Sequence, residues 1–252
     1  MLFNYELNGK KSWAKVFCDV KAFTPLVKEV LRRHELPDAE VTGLTPGTNA
    51  VFRAGDYVVK LYAPPESGFA DGSFGLSEWQ AVSAAASAGV KLPRPIARGE
   101  IHDRYVFAYM VMEYMQGQEL GDVIDHCSDQ EKFYYGQKLR VLYDRLHQAV
   151  CPDFAGRKLE GGSYLIHADM TGENILLVDG ELALIDFGDA LLGPLCYEMP
   201  ALVIEGMRAD PQVIAGFWPQ DQQKLWEMVE AGLSLHEFAQ PLRESLAKYT
   251  KK

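Results

Sequence analysis

The spacing of hydrophobic residues predicts strands and two helices in the first part of the chain. Apolar residues over 23–35 recur at intervals of three and four, the period of an amphipathic helix. A second helix is predicted over 74–88, after a loop over 63–73 that is rich in Pro, Gly and Ser. Short apolar runs bounded by turn residues predict five strands: 41–44, 50–53, 57–62, 96–101 and 105–113.

After residue 119 the pattern changes to helical spacing. A long amphipathic helix is predicted over 130–149, and further helices over 196–250. Between them, two apolar runs at 175–178 and 182–185 are separated by Asp179-Gly180, a dipeptide that strongly favours a hairpin turn. We therefore predict an α+β protein with a sheet domain over 1–115 and a mostly helical domain over 116–252.

Composition narrows the class of protein. Hydrophobic residues make up 48% of the 252 residues, enough for a folded core. No uncharged apolar run reaches the ~18 residues of a transmembrane helix, and the first residues lack the basic start and apolar stretch of a secretory signal. The four cysteines lie far apart without a CxxC pair, so neither a disulfide framework nor a cysteine zinc site is expected. These features predict a cytoplasmic protein with reduced thiols.

Negative charge is concentrated in the middle of the chain. Residues 114–189 include 14 acidic and 6 basic residues, whereas residues 1–113 hold 13 of each sign. An acidic surface does not suit nucleic acid, whose phosphates require cations. It suits metal ions and cationic ligands, although a solvated acidic surface would give the same count.

Four elements that occur in this order in kinases carry the chemistry. They are Lys60 in the run Val58–Leu61, Glu78 in the following helix, the loop His167–Asn174 of the form H-x-D-x-x-x-x-N, and Asp186-Phe187-Gly188. Taken singly, a strand lysine, a helix glutamate and a D-F-G triplet are weak signals. The eight-residue loop followed by a hairpin and D-F-G is far more specific, and the lysine upstream adds to its specificity.

Each element has a role in phosphoryl transfer, which spreads negative charge over phosphate oxygens. Lys60 is predicted to contact the α and β phosphates of a nucleotide, with Glu78 holding it in place by an ion pair. Mg²⁺ prefers carboxylate and amide oxygens, which Asp186 and Asn174 provide. Asp169 is predicted to accept the proton of the acceptor hydroxyl, or to orient that hydroxyl for attack.

The nucleotide base has a predicted site in the segment Val111–Met115. This segment ends a strand and precedes a helix, which is where a hinge would run. The backbone of Glu113 and Met115 would bond the edge of an adenine ring, with Met112 behind the ring. An ordinary core strand would show the same pattern.

The phosphate-binding turn has the weakest signal. Gly43–Asn49 contains two glycines but not the G-x-G-x-x-G of a glycine-rich loop. Backbone N–H groups, the Thr48 hydroxyl and Asn49 are candidates to contact phosphates there, and a plain hairpin turn is the alternative. In the later loop, His167 is expected to brace the backbone rather than to react.

Together these residues resemble the aminoglycoside phosphotransferase family, which has a protein-kinase-like fold. The resemblance extends over residues 40–230. The loop reads His167-Ala168-Asp169 without the arginine of H-R-D, Leu92–Pro95 is similar to the family's V-P-x-P, and Leu146-His147 is similar to the end of its L-x-x-L-H helix. Asp186–Ala190 is similar to its D-[WF]-x-x-A stretch, and no A-P-E follows, so a protein-kinase activation segment is not expected.

The resemblance implies a bilobed fold with an antiparallel-sheet N-lobe and a helical C-lobe, and ATP or GTP with Mg²⁺. It further implies transfer of phosphate to a hydroxyl of a small molecule, such as an aminoglycoside-type antibiotic in a resistance enzyme. Because the family's D-L-A reads Glu198–Ala201 here, Glu198 is expected to take the place of its structural acid.

The acidic middle of the chain favours a cationic acceptor, and neither nucleic acid nor membrane is expected as a partner. Four later acids are candidates to face an amine, or are solvated helix residues: Glu205, Asp210, Glu227 and Glu230.

Two other functions stay open. A serine/threonine protein kinase would share the four elements, but the missing activation segment and the short stretch of 64 residues after Gly188 argue against it. A non-catalytic nucleotide-binding protein with a kinase-like fold is the other alternative, and the intact polar positions argue against it. The sequence names neither the acceptor nor the oligomeric state.

Overall fold

The computed structural model describes residues 1–45, 47–69 and 74–250, which form two compact units. The first unit consists of Met1–Trp79 and Pro93–Tyr114, and the second of Gln80–Leu92 and Met115–Lys252. The predicted α+β fold, with an antiparallel sheet first and mainly helices after it, is confirmed. Among the helices of the described residues, none combines the length and hydropathy needed to cross a bilayer.

The first unit is built on a five-stranded antiparallel sheet in the order β1-β2-β3-β5-β4. The strands are β1 (Val41–Gly43), β2 (Ala50–Ala54), β3 (Tyr57–Leu61), β4 (Pro95–His102) and β5 (Val106–Glu113). Their ends differ from the predicted runs by one residue at most. Strand β3, which carries the predicted lysine, lies in the middle of the sheet and pairs with β2 and β5.

Helices α1 (Lys10–Ala14) and α2 (Val20–Arg33) belong to the same unit. Helix α2 begins three residues before the predicted start because the Asp19 carboxylate accepts hydrogen bonds from the N–H groups of Lys21 and Ala22. Its apolar face is buried as the periodicity predicts: Phe23, Leu26, Val27, Val30 and Leu31. Helix α1 lies outside the predicted elements, because five residues are too few for a helical period to show.

Helix α3 (Phe74–Ser87) begins in the first unit, and its residues from Gln80 onward belong to the second. The last four residues of the predicted loop over 63–73 lie outside the described residues. The other helices of the second unit are α4 (Leu120–His126), α5 (Asp129–Leu146), α6 (Pro211–Phe217), α7 (Gln222–Leu235) and α8 (Ala239–Tyr249). A π-helix over Ala201–Gly206 and a 3₁₀ turn over Leu195–Tyr197 precede α6.

The strands of the second unit are short. They are β6 (Gln118–Glu119), β7 (Tyr164–Ile166), β8 (Ile175–Val178), β9 (Glu181–Leu184) and β10 (Leu191–Gly193). Strands β8 and β9 form the predicted hairpin, in which Asp179 and Gly180 have φ angles of 51° and 79°. Positive φ at both central residues is the geometry of a type I′ turn. The hairpin places residue 174, just before β8, opposite residue 185, just after β9.

Helices α5 and α6 approach closely through two glycines, and this contact gives a stability prediction. A Cβ atom on Gly136 would lie 2.1 Å from the backbone oxygen of Val213, and one on Gly216 would lie 2.0 Å from the oxygen of Phe133. We expect Gly136→Ala to lower the free energy of unfolding by about 1–3 kcal/mol or more, because the helices must separate. Chemical denaturation measures it. Gln137→Ala, at the exposed neighbouring position, is the control and should change stability little.

Candidate functional site

The predicted ion pair of the first unit is present. Lys60 Nζ lies 2.9 Å from both carboxylate oxygens of Glu78, which α3 carries. Their side chains are 5% and 1% exposed. The hydroxyl of Tyr62 donates a hydrogen bond of 2.7 Å to Glu78 Oε2, so the carboxylate is held from two sides. Tyr62 was not among the predicted residues, although its position two residues after Lys60 on an extended strand points to the same face.

The segment predicted to hold the nucleotide base lies at the end of β5. Met112 and Glu113 are the last two residues of the strand, and Met115 is the first residue that follows in the second unit. The Glu113 N–H donates to the carbonyl of Arg94 at 3.0 Å. An adenine edge would therefore use the Glu113 carbonyl rather than its N–H group.

The phosphate-binding turn is described only in part, because Pro46 lies outside the described residues. Thr48 is exposed, and its carbonyl accepts a hydrogen bond of 3.0 Å from the indole N–H of Trp13. The amide oxygen of Asn49 accepts from the Ala63 N–H at 3.3 Å. A phosphate contact by Asn49 would thus have to come from its amide nitrogen.

In the second unit, the side chains of Asp169 and Asn174 are joined by a direct hydrogen bond. The Asn174 amide nitrogen donates to Asp169 Oδ2 at 2.7 Å and to the Asp169 backbone oxygen at 3.0 Å. The Thr171 N–H also donates to that backbone oxygen, at 2.8 Å. Since the amide nitrogen faces Asp169, the oxygen Oδ1 of Asn174 faces away from it and is the atom that a cation would meet.

The loop and the D-F-G segment are tied together through Ile185. Its N–H donates to the Asn174 backbone oxygen at 3.0 Å, and its carbonyl lies 3.0 Å from Nε2 of His167. Nδ1 of His167 accepts from the Asp169 N–H at 3.3 Å, so the proton of a neutral ring is on Nε2. The fully buried His167 also packs against Phe187, with 4.5 Å between ring centroids. These contacts are those of a bracing residue.

Glu198 anchors the other side of the same loop. Its two carboxyl oxygens accept from the backbone N–H groups of His167 at 2.7 Å and Ala168 at 3.0 Å. The side chain is fully buried, and burial raises the pKa of Glu198 to about 8. These two hydrogen bonds to the loop backbone are consistent with the structural role expected for Glu198.

Two residues of the site have a left-handed backbone. The φ angles of Ala168 and Asp186 are 69° and 58°. Non-glycine residues rarely adopt this region, and such positions cluster at functional sites. The Ala168 N–H donates a hydrogen bond to Glu198 Oε1 at 3.0 Å, and the Gly188 N–H donates to Asp186 Oδ1 at 3.2 Å.

The surroundings of Asp169 raise the pKa of its carboxyl group. Burial raises the pKa of Asp169 to about 6, the charges of Asp189 and Asp186 act in the same direction, and the hydrogen bond from Asn174 opposes them. A carboxyl with a pKa close to neutral can gain and lose a proton at physiological pH. Both Asp186 and Asp189 are exposed.

The donor atoms suit Mg²⁺ completed by a nucleotide rather than a cage made by the protein alone. No group of three or more His, Cys, Asp or Glu side chains within the described residues is arranged to hold a metal. Asp186 and Asn174 offer one carboxylate and one amide oxygen, both hard ligands. Mg²⁺ in phosphoryl-transfer enzymes is usually held by one or two carboxylates together with substrate phosphates, so the residues fit that ion.

The later acids have internal partners. Asp210 caps α6 and lies 2.8 Å from Lys132 Nζ, and Glu230 forms an ion pair of 2.7 Å with Arg243. Glu205 accepts a hydrogen bond from the Tyr249 hydroxyl. Because these acids already pair with groups of the protein itself, they are weaker candidates to bind the amine of an acceptor.

Solved structures of small-molecule kinases share the fold. The GDP complex of wild-type aminoglycoside 2'-phosphotransferase-IIIa has a TM-score of 0.67 at 16% identity, covering 90% of this chain and 97% of that one. The amicoumacin kinase hAmiN in complex with AMP-PNP, Ca²⁺ and Ami has a TM-score of 0.59 at 15% identity, covering 94% of both chains. For a choline/ethanolamine kinase family protein from Mesorhizobium loti the TM-score is 0.53 at 15% identity, over 84% of this chain and 87% of that one.

A local match to a protein kinase also exists. The serine/threonine-protein kinase STE20 of Saccharomyces cerevisiae is 32% identical over 91 residues. That stretch is 34% of this chain and 8% of the yeast protein, so the chain spans less than a tenth of its length.

A family model gives the broader match. The model of the phosphotransferase enzyme family, APH, matches residues 43–162 and 154–231, well over half of the chain. The matched ranges contain all four elements, from Lys60 to Asp186. The resemblance to aminoglycoside phosphotransferases is thereby confirmed, and the chain belongs to the phosphotransferase enzyme family.

Proposed function

We propose that this protein transfers the γ-phosphate of ATP or GTP to a hydroxyl group of a small, cationic molecule. The observation that carries the proposal is a set of hydrogen bonds around Asn174 in the second unit. The side-chain amide of Asn174 donates a hydrogen bond to the Asp169 carboxylate, and the backbone oxygen of Asn174 accepts one from the N–H of Ile185, the residue before Asp186. A proton acceptor and two oxygen ligands are thus arranged by one hydrogen-bonded loop, as phosphoryl transfer requires.

The nucleotide would be contacted by residues of the sheet and of the segment that follows β5. Lys60, fixed by Glu78, contacts the α and β phosphates, and Thr48 contacts phosphate from the turn before β2. The Glu113 carbonyl and the Met115 N–H meet the adenine edge, with Met112 behind it. The complexes of GDP and AMP-PNP among proteins of the same fold support a purine nucleotide as the donor.

The metal ligands would be Asp186 and the amide oxygen of Asn174. When bound, Mg²⁺ supplies positive charge that neutralises oxygens of the β and γ phosphates. The amide nitrogen of Asn174 stays bonded to Asp169, so one side chain orients both the ligand oxygen and the proton acceptor.

Asp169 acts on the acceptor. Its carboxylate accepts a hydrogen bond from the acceptor hydroxyl, aligns that oxygen for attack, and takes its proton. As the new O–P bond forms, the bond between the γ phosphorus and the β–γ bridging oxygen breaks, and the nucleoside diphosphate leaves. The acidic groups Asp186 and Asp189, whose charges act on Asp169, give this region a negative potential. A cationic acceptor would be attracted to it.

The test is a coupled assay of ADP release with Mg²⁺, screened over aminoglycosides, macrolides, amino alcohols and sugars. We expect turnover with at least one amine-bearing acceptor and phosphate on its hydroxyl, detected by mass spectrometry. Phosphorylation only of neutral sugars would contradict the cationic acceptor. Tight Mg²⁺-dependent nucleotide binding without turnover across the panel would favour a non-catalytic protein.

A serine/threonine protein kinase is the second candidate, favoured by the local identity to the yeast kinase. The two candidates differ in the acceptor alone. Labelled ATP with generic protein substrates separates them, since robust phosphorylation of proteins and none of small molecules would favour the second.

The buried ion pair of the first unit gives a further prediction. Lys60→Met should lower kcat/KM about 100-fold or more, because a charge facing the phosphates is lost. Glu78→Gln should also reduce stability by about 3–5 kcal/mol, because it removes the negative charge that lies beside the buried Lys60 ammonium group. Turnover and thermal denaturation measure the two effects. Lys21→Met, an exposed position on α2, is the control; wild-type kcat/KM in Lys60→Met would contradict the role.

A further inference from the structure

A buried histidine faces the acid that anchors the catalytic loop. His147 follows α5, and its Nδ1 lies 2.7 Å from the carbonyl oxygen of Tyr143. Its Nε2 lies 3.8 Å from Oε2 of Glu198, and the two side chains are 6% and 0% exposed. Nε2 is buried and has no hydrogen-bond partner among the described residues.

The bond to Tyr143 determines which nitrogen holds the proton. A carbonyl oxygen only accepts, so Nδ1 of His147 carries hydrogen, and in the neutral ring Nε2 presents a lone pair. An ionised Glu198 would then set a negative oxygen against that lone pair with no proton between them. Such an arrangement leaves a buried charge partly uncompensated and a buried nitrogen unpaired, and both are costly.

We infer that Glu198 is protonated and donates its O–H to Nε2 of His147, and that this neutral pair positions the catalytic loop. Oε2 would then donate to the ring while accepting from the His167 N–H, and Oε1 would accept from the Ala168 N–H. If the 3.8 Å distance between Nε2 and Oε2 shortens by about 1 Å, the two atoms are at an ordinary hydrogen-bond distance.

The surroundings of the pair favour this proton location. Burial raises the pKa of Glu198 and lowers the pKa of His147 to about 4, so the same environment disfavours both the carboxylate and the imidazolium. The hydrogen bonds from the His167 and Ala168 N–H groups lower the pKa of Glu198, and the charge of Asp169 raises it, but burial is the largest influence. The hydrogen bond to the Tyr143 carbonyl and the charge of Asp144 raise the pKa of His147, but burial outweighs both, and Asp144 is paired with Arg140.

His147 is therefore a positioning residue, since it acts on the loop through Glu198. The loop residues that Glu198 holds, His167 and Ala168, directly precede Asp169. Displacing that backbone by a fraction of an ångström would misalign the proton acceptor without altering any proposed nucleotide contact. The kinetic part of this inference rests on the proposed function, whereas the protonation state does not.

The protonation state is tested on the wild-type protein by ¹⁵N NMR of the histidine rings at neutral pH. We expect His147 to be the neutral ring with hydrogen on Nδ1 and a hydrogen-bonded, unprotonated Nε2, assigned by its loss in His147→Gln. Infrared spectroscopy should show a carboxylic acid C=O band that disappears in Glu198→Gln. A doubly protonated His147, hydrogen on its Nε2, or the lack of that acid band would overturn the inference, whether or not an acceptor is known.

The positioning role is tested by kinetics. His147→Leu should lower kcat about 10- to 100-fold with the nucleotide KM within about twofold, because only loop alignment is disturbed. His147→Gln, whose amide oxygen can accept the Glu198 proton, should recover much of kcat. His126→Leu is the matched control, since His126 makes the same bond to the carbonyl four residues earlier but is exposed. A wild-type kcat in folded His147→Leu would overturn the positioning role.

Discussion

Asp169→Asn should greatly slow phosphate transfer while nucleotide affinity stays close to that of the wild type. The substitution removes the charge and the proton-accepting capacity but keeps the size of the side chain. The amide oxygen of the new asparagine can still accept from Asn174, so the loop geometry has no reason to change. We expect kcat to fall about 10²- to 10⁴-fold, the usual contribution of a positioned acid–base group.

The experiment pairs turnover with binding. Coupled ADP release gives kcat, and titration calorimetry with a non-hydrolysable nucleotide and Mg²⁺ gives the affinity. Asp179→Asn is the matched control, because it makes the same chemical change at the exposed hairpin turn, where asparagine also accepts a positive φ. Unchanged turnover in Asp169→Asn would end the assignment; a parallel loss of nucleotide affinity would make Asp169 a binding residue instead.

The parts of the fold that depend on local chemistry were predictable. The turn at Asp179-Gly180 requires two positive φ angles, which this dipeptide tolerates, so its place in the chain follows from two residues. The strands of the first sheet follow from alternation and turn residues in the same way. Strand β10 (Leu191–Gly193) differs, since three residues carry too little pattern and its pairing with β7 spans more than twenty positions.

In the candidate site, too, some contacts could be predicted from the sequence and others could not. The pairing of Lys60 with Glu78 was expected because a kinase motif specifies both partners, and the two residues lie 18 positions apart. Tyr62, which bonds the same carboxylate, belongs to no motif. The contact between His147 and Glu198 joins residues 51 positions apart, and no periodicity or spacing encodes a distance of that kind. Sequence motifs identify the residues proposed to act in the reaction. The residues that hold them in place can be recognised only from their packing in the folded structure.

Asp186→Asn should remove most of the Mg²⁺-dependent part of nucleotide binding. In the proposed site Asp186 is the one charged protein ligand, since Asn174 contributes a neutral oxygen. Asparagine keeps an oxygen for the Gly188 N–H and tolerates the left-handed φ of 58°, so the backbone should stay in place. We expect nucleotide affinity in Mg²⁺ to fall about 10- to 100-fold, with kcat falling in parallel.

The metal dependence distinguishes this loss from a general defect. Affinity measured with Mg²⁺ and again with EDTA should differ strongly in the wild type and little in Asp186→Asn, because the variant has lost the ligand whose charge the ion neutralises. Asp189→Asn is the comparison, since it removes an exposed acid three residues away that is not itself a proposed ligand. Its nucleotide affinity should keep the wild-type dependence on Mg²⁺. If Asp186→Asn keeps it as well, the metal is held elsewhere, and the kinase-like arrangement of Asp186 and Asn174 does not describe how this protein binds its nucleotide.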